Sequence, residues 1–162
     1  MNQVVVKQEK SGYQIVEAYK SLRTNLQFCG EDKKVIAITS CTPNEGKSSV
    51  SMQLGISLAE IGKRVILIDA DLRKSVLLGR TKTEKSVRGL AHFLSGQASL
   101  EDVICATNIK NFYMIYSGPF PPNPAELLGG KNFRSLLNAL RKVYDYVIVD
   151  TPPLGSVIDS AI

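Results

Sequence analysis

Val35-Ile36-Ala37-Ile38-Thr39-Ser40-Cys41-Thr42-Pro43-Asn44-Glu45-Gly46-Lys47-Ser48-Ser49 runs from a short apolar block through a Gly-Lys-Ser turn. The apolar block suits a strand buried on both faces. Beyond the turn, Val50, Leu54, Leu58 and Ile61 recur at helical spacing as an inward face, with Gly62 placed as the left-handed terminator. Strand, tight loop and helix in that order are the setting of a phosphate-binding loop, because backbone N–H groups and the helix dipole present positive ends to phosphate oxygens. Lys47 adds a point charge toward the outer phosphates, and Ser48 offers a hydroxyl to Mg²⁺. Cys41 stands where the strict Gly-x-x-x-x-Gly-Lys-Ser/Thr pattern has its first glycine, and a small residue there is compatible with the loop.

Outward from this stretch, Val65 to Asp69, Phe112 to Tyr116 and Tyr146 to Asp150 join Val35 to Thr39 as buried strands. Helical patterns separate them. Ile15, Tyr19, Leu22, Leu26 and Cys29 form a stripe on a first helix ending near Gly30. Ser99 caps a short helix through Ile104, and Asn123-Pro124 reads as N-cap and first residue of another. Phe133, Leu136, Leu137, Leu140 and Val143 line a last helix from Asn132 to Tyr144. This alternation predicts right-handed βαβ crossovers, hence a P-loop NTPase-like three-layer α/β/α fold with a mainly parallel sheet. At 162 residues a single domain is expected, with 1–30 as an N-terminal segment and helix and 31–162 as the nucleotide-binding core.

Composition narrows the classes. With 44% hydrophobic and 22% charged residues the chain is globular rather than disordered, fibrous or coiled-coil. The net charge of +5 favours anionic partners. Cys29, Cys41 and Cys105 are widely spaced and His92 is the single histidine, so neither a disulfide framework nor a zinc site is supported. Met1 to Lys10 lacks a leader pattern and no apolar run approaches a membrane span, which together predict a reduced, soluble, cytoplasmic protein. Arg73, Lys74, Arg80, Lys82, Lys85 and Arg88 face only Glu84 in one basic stretch, read as a solvated loop. No aromatic residue interrupts it, and no nucleic-acid partner is expected.

Sheets of this kind bind ligands beyond the carboxyl ends of their strands. Asp69 and Asp71, two residues apart at an extended strand end, project to one side, and paired carboxylates repel unless a cation lies close. Given the loop, the Mg²⁺ of a bound nucleotide is that cation. Arg73 follows at the same spacing, to pair with a carboxylate or touch phosphate. Asp150, after Tyr146-Val147-Ile148-Val149, fits a Walker B carboxylate that holds Mg²⁺ through water.

Five segments together resemble the bacterial tyrosine kinases of capsular and exopolysaccharide synthesis. They are Glu17-Ala18-Tyr19-Lys20-Ser21-Leu22-Arg23, the loop through Ser48, Ile66-Leu67-Ile68-Asp69-Ala70-Asp71-Leu72-Arg73, Pro121-Pro122-Asn123-Pro124-Ala125-Glu126-Leu127-Leu128 and Val147-Ile148-Val149-Asp150-Thr151-Pro152-Pro153. The third and fourth are the most specific, since generic phosphate-loop ATPases lack them. The resemblance implies ATP-dependent phosphorylation of protein tyrosines, often in trans, with ATP and Mg²⁺ as cofactors. It puts Thr42, Pro43, Asn44, Glu45, Gly46, Lys47, Ser48, Ser49 and Arg73 around the nucleotide. Ser48, Asp69, Asp71 and Asp150 then form the metal environment, and Lys47, Asp69 and Asp71 are catalytic, Asp69 as base for the tyrosine hydroxyl.

On the first helix the family carries Glu-x-x-Arg-x-x-Arg as a ring contact, matched here by Glu17, Lys20 and Arg23; Lys20 cannot make a bidentate fork. The implied partners are protein tyrosine substrates, further copies of the chain, and a membrane-bound activator or polysaccharide co-polymerase. That activator would hold the protein at the inner face of the cell membrane. Relatives continue past the Walker B strand with further strands, adenine contacts and a tyrosine-rich tail. The sheet is therefore expected to be incomplete at its C-terminal side, with an apolar edge at the first strand of the core. Two other readings stay open: a partitioning or division-site ATPase, which usually carries a second lysine where this chain has Thr42, and a catalytically dead nucleotide-binding regulatory module.

Overall fold

Gly46 adopts a left-handed conformation, φ +80°, and turns the chain into a helix whose first residue is Lys47. A side chain at that φ would be strained, which explains the glycine. The computed structural model describes residues 1–7, 12–40, 46–72, 81–82 and 87–152. Their elements in chain order are β1 (Asn2–Val6), α1 (Tyr13–Phe28), β2 (Val35–Ile38), α2 (Lys47–Glu60), β3 (Val65–Asp69), β4 (Thr81–Lys82), α3 (Leu90–Leu94), α4 (Leu100–Val103), β5 (Cys105–Thr107), β6 (Phe112–Ile115), α5 (Pro124–Gly129), α6 (Lys131–Val143) and β7 (Tyr146–Asp150).

The strands form one sheet in the order β2-β7-β3-β6-β5-β1-β4. The β2, β7, β3 and β6 ladders are parallel, as is β5 with β1, whereas β5–β6 and β1–β4 are antiparallel. Every residue of β3 and β7 is buried, as continuous apolar strands in the middle of a covered sheet should be. Alternation divides their side chains between two cores. Val65, Leu67, Tyr146 and Ile148 meet α2 residues such as Leu54 and Leu58, while Ile66, Ile68, Val147 and Val149 meet α3 and α6 residues such as Leu90, Leu136 and Leu140. The expected three-layer α/β/α arrangement with a mainly parallel sheet is present.

The four expected strands and the principal helices fall where the sequence puts them. Ser99 and Asp102 form a reciprocal cap on α4, their side chains accepting from each other's backbone N–H at 3.3 and 3.0 Å. Gly62 takes φ +85° after α2. Several expectations need correction. β1 and β5 are absent from the sequence reading: each is short, and each becomes a strand through pairing with the other, Asn2 opposite Cys105 and Val4 opposite Thr107. α2 buries far more than a narrow stripe, including Met52, Gly55, Ile56 and Ala59, because it has the sheet on one side and α1 on another. Ile61, expected to face inward, is exposed where the helix ends, and Val143 is exposed at the end of α6. The stripe on α1 is not a core face: none of its residues is buried, and Tyr19 and Leu26 are only half-buried.

Candidate active site

Asp150 closes β7 at the carboxyl end of the sheet, and three side chains from the first two turns of α2 converge on it. The Lys47 ammonium forms an ion pair with Asp150 Oδ1, Ser48 Oγ donates to Oδ2 at 2.9 Å, and Ser51 Oγ lies 3.3 Å from Oδ1. Ser51 is three positions from Ser48 and four from Lys47, so it lies one turn further along α2 beside both of them. Asp150 is 1% exposed and Ser51 fully buried. A carboxylate so far from water needs paired donors, and this one has them.

Asp69 is the register partner of Asp150 on the neighbouring parallel strand and is equally buried. Residues in register on parallel strands share a face, so the Asp69 side chain leaves the sheet on the α2 side. Its Oδ1 accepts the Asp71 N–H at 3.2 Å, while the Ala70 N–H donates to the Asp150 carbonyl at 2.9 Å and prolongs the ladder past β3. Leu72 continues the face of Ile66, Ile68 and Ala70 into the opposite core. Asp71, two residues past the end of β3, is half-buried. Next door, Thr151 donates its N–H and hydroxyl to the Ile38 carbonyl at 3.0 and 2.8 Å, and Thr39 Oγ1 donates to the Pro152 carbonyl at 3.3 Å. These bonds tie the strand entering the loop to the strand carrying Asp150.

Of the nucleotide residues expected from the sequence, Gly46, Lys47 and Ser48 form the entry to α2, and Ser49 is half-buried on its first turn. Thr42, Pro43, Asn44, Glu45 and Arg73 lie outside the described residues. Sequence reasoning missed Ser51; its spacing from Lys47 and Ser48 was the available signal. Among the described residues no three His, Cys, Asp or Glu side chains gather into a metal-binding group. Mg²⁺ does not require one: it takes one or two carboxylates and completes its shell with water and substrate phosphate. The hydroxyl of Ser48 and the carboxylate of Asp150, hard oxygen donors 2.9 Å apart, fit that requirement.

The three charges expected at an oligomer contact are engaged within the chain. Lys20 Nζ pairs with Glu17 Oε1 at 3.3 Å on the surface of α1. Arg23 turns inward, donating from Nη1 to the carbonyl and hydroxyl oxygens of Ser57 at 3.0 and 3.2 Å, with Glu60 at 3.9 Å. His92 Nδ1 accepts the Gly89 N–H at 3.0 Å and so caps its own helix, in keeping with a packing role. Tyr144 and Tyr146 are buried, and burial pushes both phenols above their ordinary range.

The profile of a family described as AAA domain matches residues 33–162. Tyrosine-protein kinase CpsD of Streptococcus agalactiae is 45% identical over 146 residues, covering 90% of this chain and 64% of CpsD. The kinase domain of VpsO superposes with a TM-score of 0.80 at 34% identity, over 90% of this chain and 71% of that domain. The chain belongs to the AAA-domain family. A second kinase domain, that of Escherichia coli tyrosine kinase ETK, superposes with a TM-score of 0.82 at 34% identity, over 96% of this chain and 64% of that one. The chain spans 64% of the length of its CpsD relative.

Proposed function

We propose that this chain is the nucleotide-binding core of an ATP-dependent protein-tyrosine kinase acting in capsular or exopolysaccharide synthesis and export. One observation carries the reading: Lys47 and Ser48, on the first turn of the helix after the loop, meet Asp150 at a strand end whose register neighbour is Asp69. Bound Mg-ATP supplies the transferable phosphoryl group and the divalent charge that neutralises it. The chain's residues do the rest. Lys47 leaves Asp150 to neutralise the outer phosphates, Ser48 and Asp150 hold the metal side, and Asp71 completes the acidic surroundings. Asp69 accepts the proton of the attacking tyrosine hydroxyl. Phosphoryl transfer needs positioning and charge neutralisation more than covalent chemistry, and this arrangement offers both. Thr42, Pro43, Asn44, Glu45, Gly46 and Ser49 would cradle the phosphates, with Arg73 beside them.

Protein tyrosines are the proposed substrates, and a membrane-bound activator the proposed partner at the inner face of the cell membrane. No helix among the described residues is long and apolar enough to cross a bilayer. Association with further copies of the chain is supported by α1, whose Tyr13, Ile15 and Phe28 are exposed. Radiolabelled ATP with a tyrosine-containing peptide tests the reading. Label on the peptide tyrosine is the expected result. Release of free phosphate alone would indicate the partitioning type of ATPase, and bound nucleotide without turnover a regulatory module.

A further inference from the structure

The buried hydroxyl of Ser51 has one proton and two acceptors: the Lys47 carbonyl at 3.0 Å and Asp150 Oδ1 at 3.3 Å. Ser51 lies in the interior of α2, where a serine usually returns its proton to the carbonyl four residues back. Here a carboxylate competes for it. Asp150 has three donors among the described residues, Lys47, Ser48 and Ser51. The first two also serve the nucleotide site in the proposed function, Lys47 toward phosphate and Ser48 toward metal. Ser51 alone is set back one turn, fully buried and without access to a ligand.

We propose that Ser51 is the positioning residue of the metal-side carboxylate, a hydroxyl that turns between two acceptors as the site fills. With Lys47 on Asp150, the carboxylate is satisfied and the hydroxyl serves the Lys47 carbonyl. When Lys47 and Ser48 turn to the ligand, the hydroxyl proton swings to Oδ1 and keeps the Asp150 carboxylate in the orientation Ser48 now shares. Ser51 touches neither substrate nor metal. Its effect is felt through Asp150, as is usual for outer-shell partners of ligating carboxylates. This inference rests on the nucleotide-site reading of the proposed function.

The discriminating measurement is calorimetric titration of the full 162-residue chain with a non-hydrolysable ATP analogue, once with Mg²⁺ and once with EDTA. For Ser51→Ala, affinity in Mg²⁺ should fall about 10- to 100-fold, the range found on removing outer-shell partners, while affinity in EDTA is unchanged. Ser51→Thr, which keeps the hydroxyl, should restore the Mg²⁺-dependent part. An equal loss in both solutions would mark Ser51 as merely structural and overturn the proposal. So would an unchanged Mg²⁺ dependence in Ser51→Ala, whatever Ser51→Thr does. If the unsubstituted chain binds no nucleotide in either solution, the kinase reading fails first and takes this inference with it.

Discussion

Asp69 and Asp150 occupy the same register step of adjacent parallel strands, so two buried carboxylates leave the sheet side by side on the face covered by α2. Such a pair is unfavourable without positive charge nearby. Lys47, delivered by the first turn of α2, supplies it. The site thus holds its own counter-charge, and a Mg²⁺-nucleotide complex must take over that role when Lys47 moves to phosphate.

Lys47→Met removes one partner of a buried ion pair and leaves Asp150 with two hydroxyls. A loss of about 3 kcal/mol is expected. Asp150→Asn alone should be costly for the same reason, since it strands the ammonium. The double variant should be less damaged than the sum of the two, because neither charge is left alone. Urea denaturation of the four proteins measures this coupling; strict additivity would mean that the pair contributes nothing.

For activity, Lys47→Met and Asp69→Asn should each reduce phosphotyrosine formation at least about a hundredfold, on the scale of other electrostatic groups aimed at a transition state. Asp69→Asn retains the shape and the acceptor for the Asp71 N–H while losing basicity. Undiminished transfer in that variant would remove Asp69 from its role as base.

Gly55→Ala sets two effects against each other. Alanine favours the interior of a helix by about 1 kcal/mol. An added Cβ would stand 2.5 Å from Cε1 of Phe112, a ring only 1% exposed and wedged between helix and sheet. Overpacking costs about 1–3 kcal/mol, so net destabilisation is expected, read as a lower melting temperature. A rise in melting temperature would show that the Phe112 ring can give way.

Arg23→Ala should loosen α1, whose polar anchorage on α2 runs through Ser57 and Glu60. Faster amide exchange across residues 13–28 is the expected signature. Lys20→Ala should leave exchange unchanged, since the Lys20–Glu17 pair is solvated. Equal effects from both would contradict the inward assignment of Arg23.

Alkaline stability follows from burial. Desolvation pushes the Cys105 thiol up to about 11 from its ordinary 9.0, and it raises Tyr144 and Tyr146 above 10.0. In each case the folded state holds its proton to higher pH than the unfolded chain. That stability is complete below about pH 9 and is lost as pH rises through the folded values. Urea midpoints should therefore fall between pH 8 and pH 10.5. Native alkylation at pH 8 should modify exposed Cys29 and spare Cys105. Ready labelling of Cys105 in the folded protein would refute that protection.

The site was legible in the sequence where residue type and spacing allow few interpretations. Gly-Lys-Ser between an apolar run and a helical pattern leaves little choice, and an apolar strand ending in Asp150 or Asp69 acquires meaning once that loop is present. Ser51 stayed hidden because serine is common in helices, and only the proximity of β7 gives its hydroxyl a second acceptor. β1 and β5 were illegible for a related reason: strands of five and three residues carry weak patterns, and their pairing is a long-range event. The inward turn of Arg23 depends on Ser57 and Glu60, 34 and 37 positions away, a contact no local pattern encodes.

The most direct test of the central claim is calorimetric titration of the chain with Mg-ATP, beside Lys47→Met under the same conditions. A single binding event in the native chain, lost or strongly weakened in the variant, is the predicted result. Absence of heat in the native chain, or equal affinity in the two proteins, would contradict it.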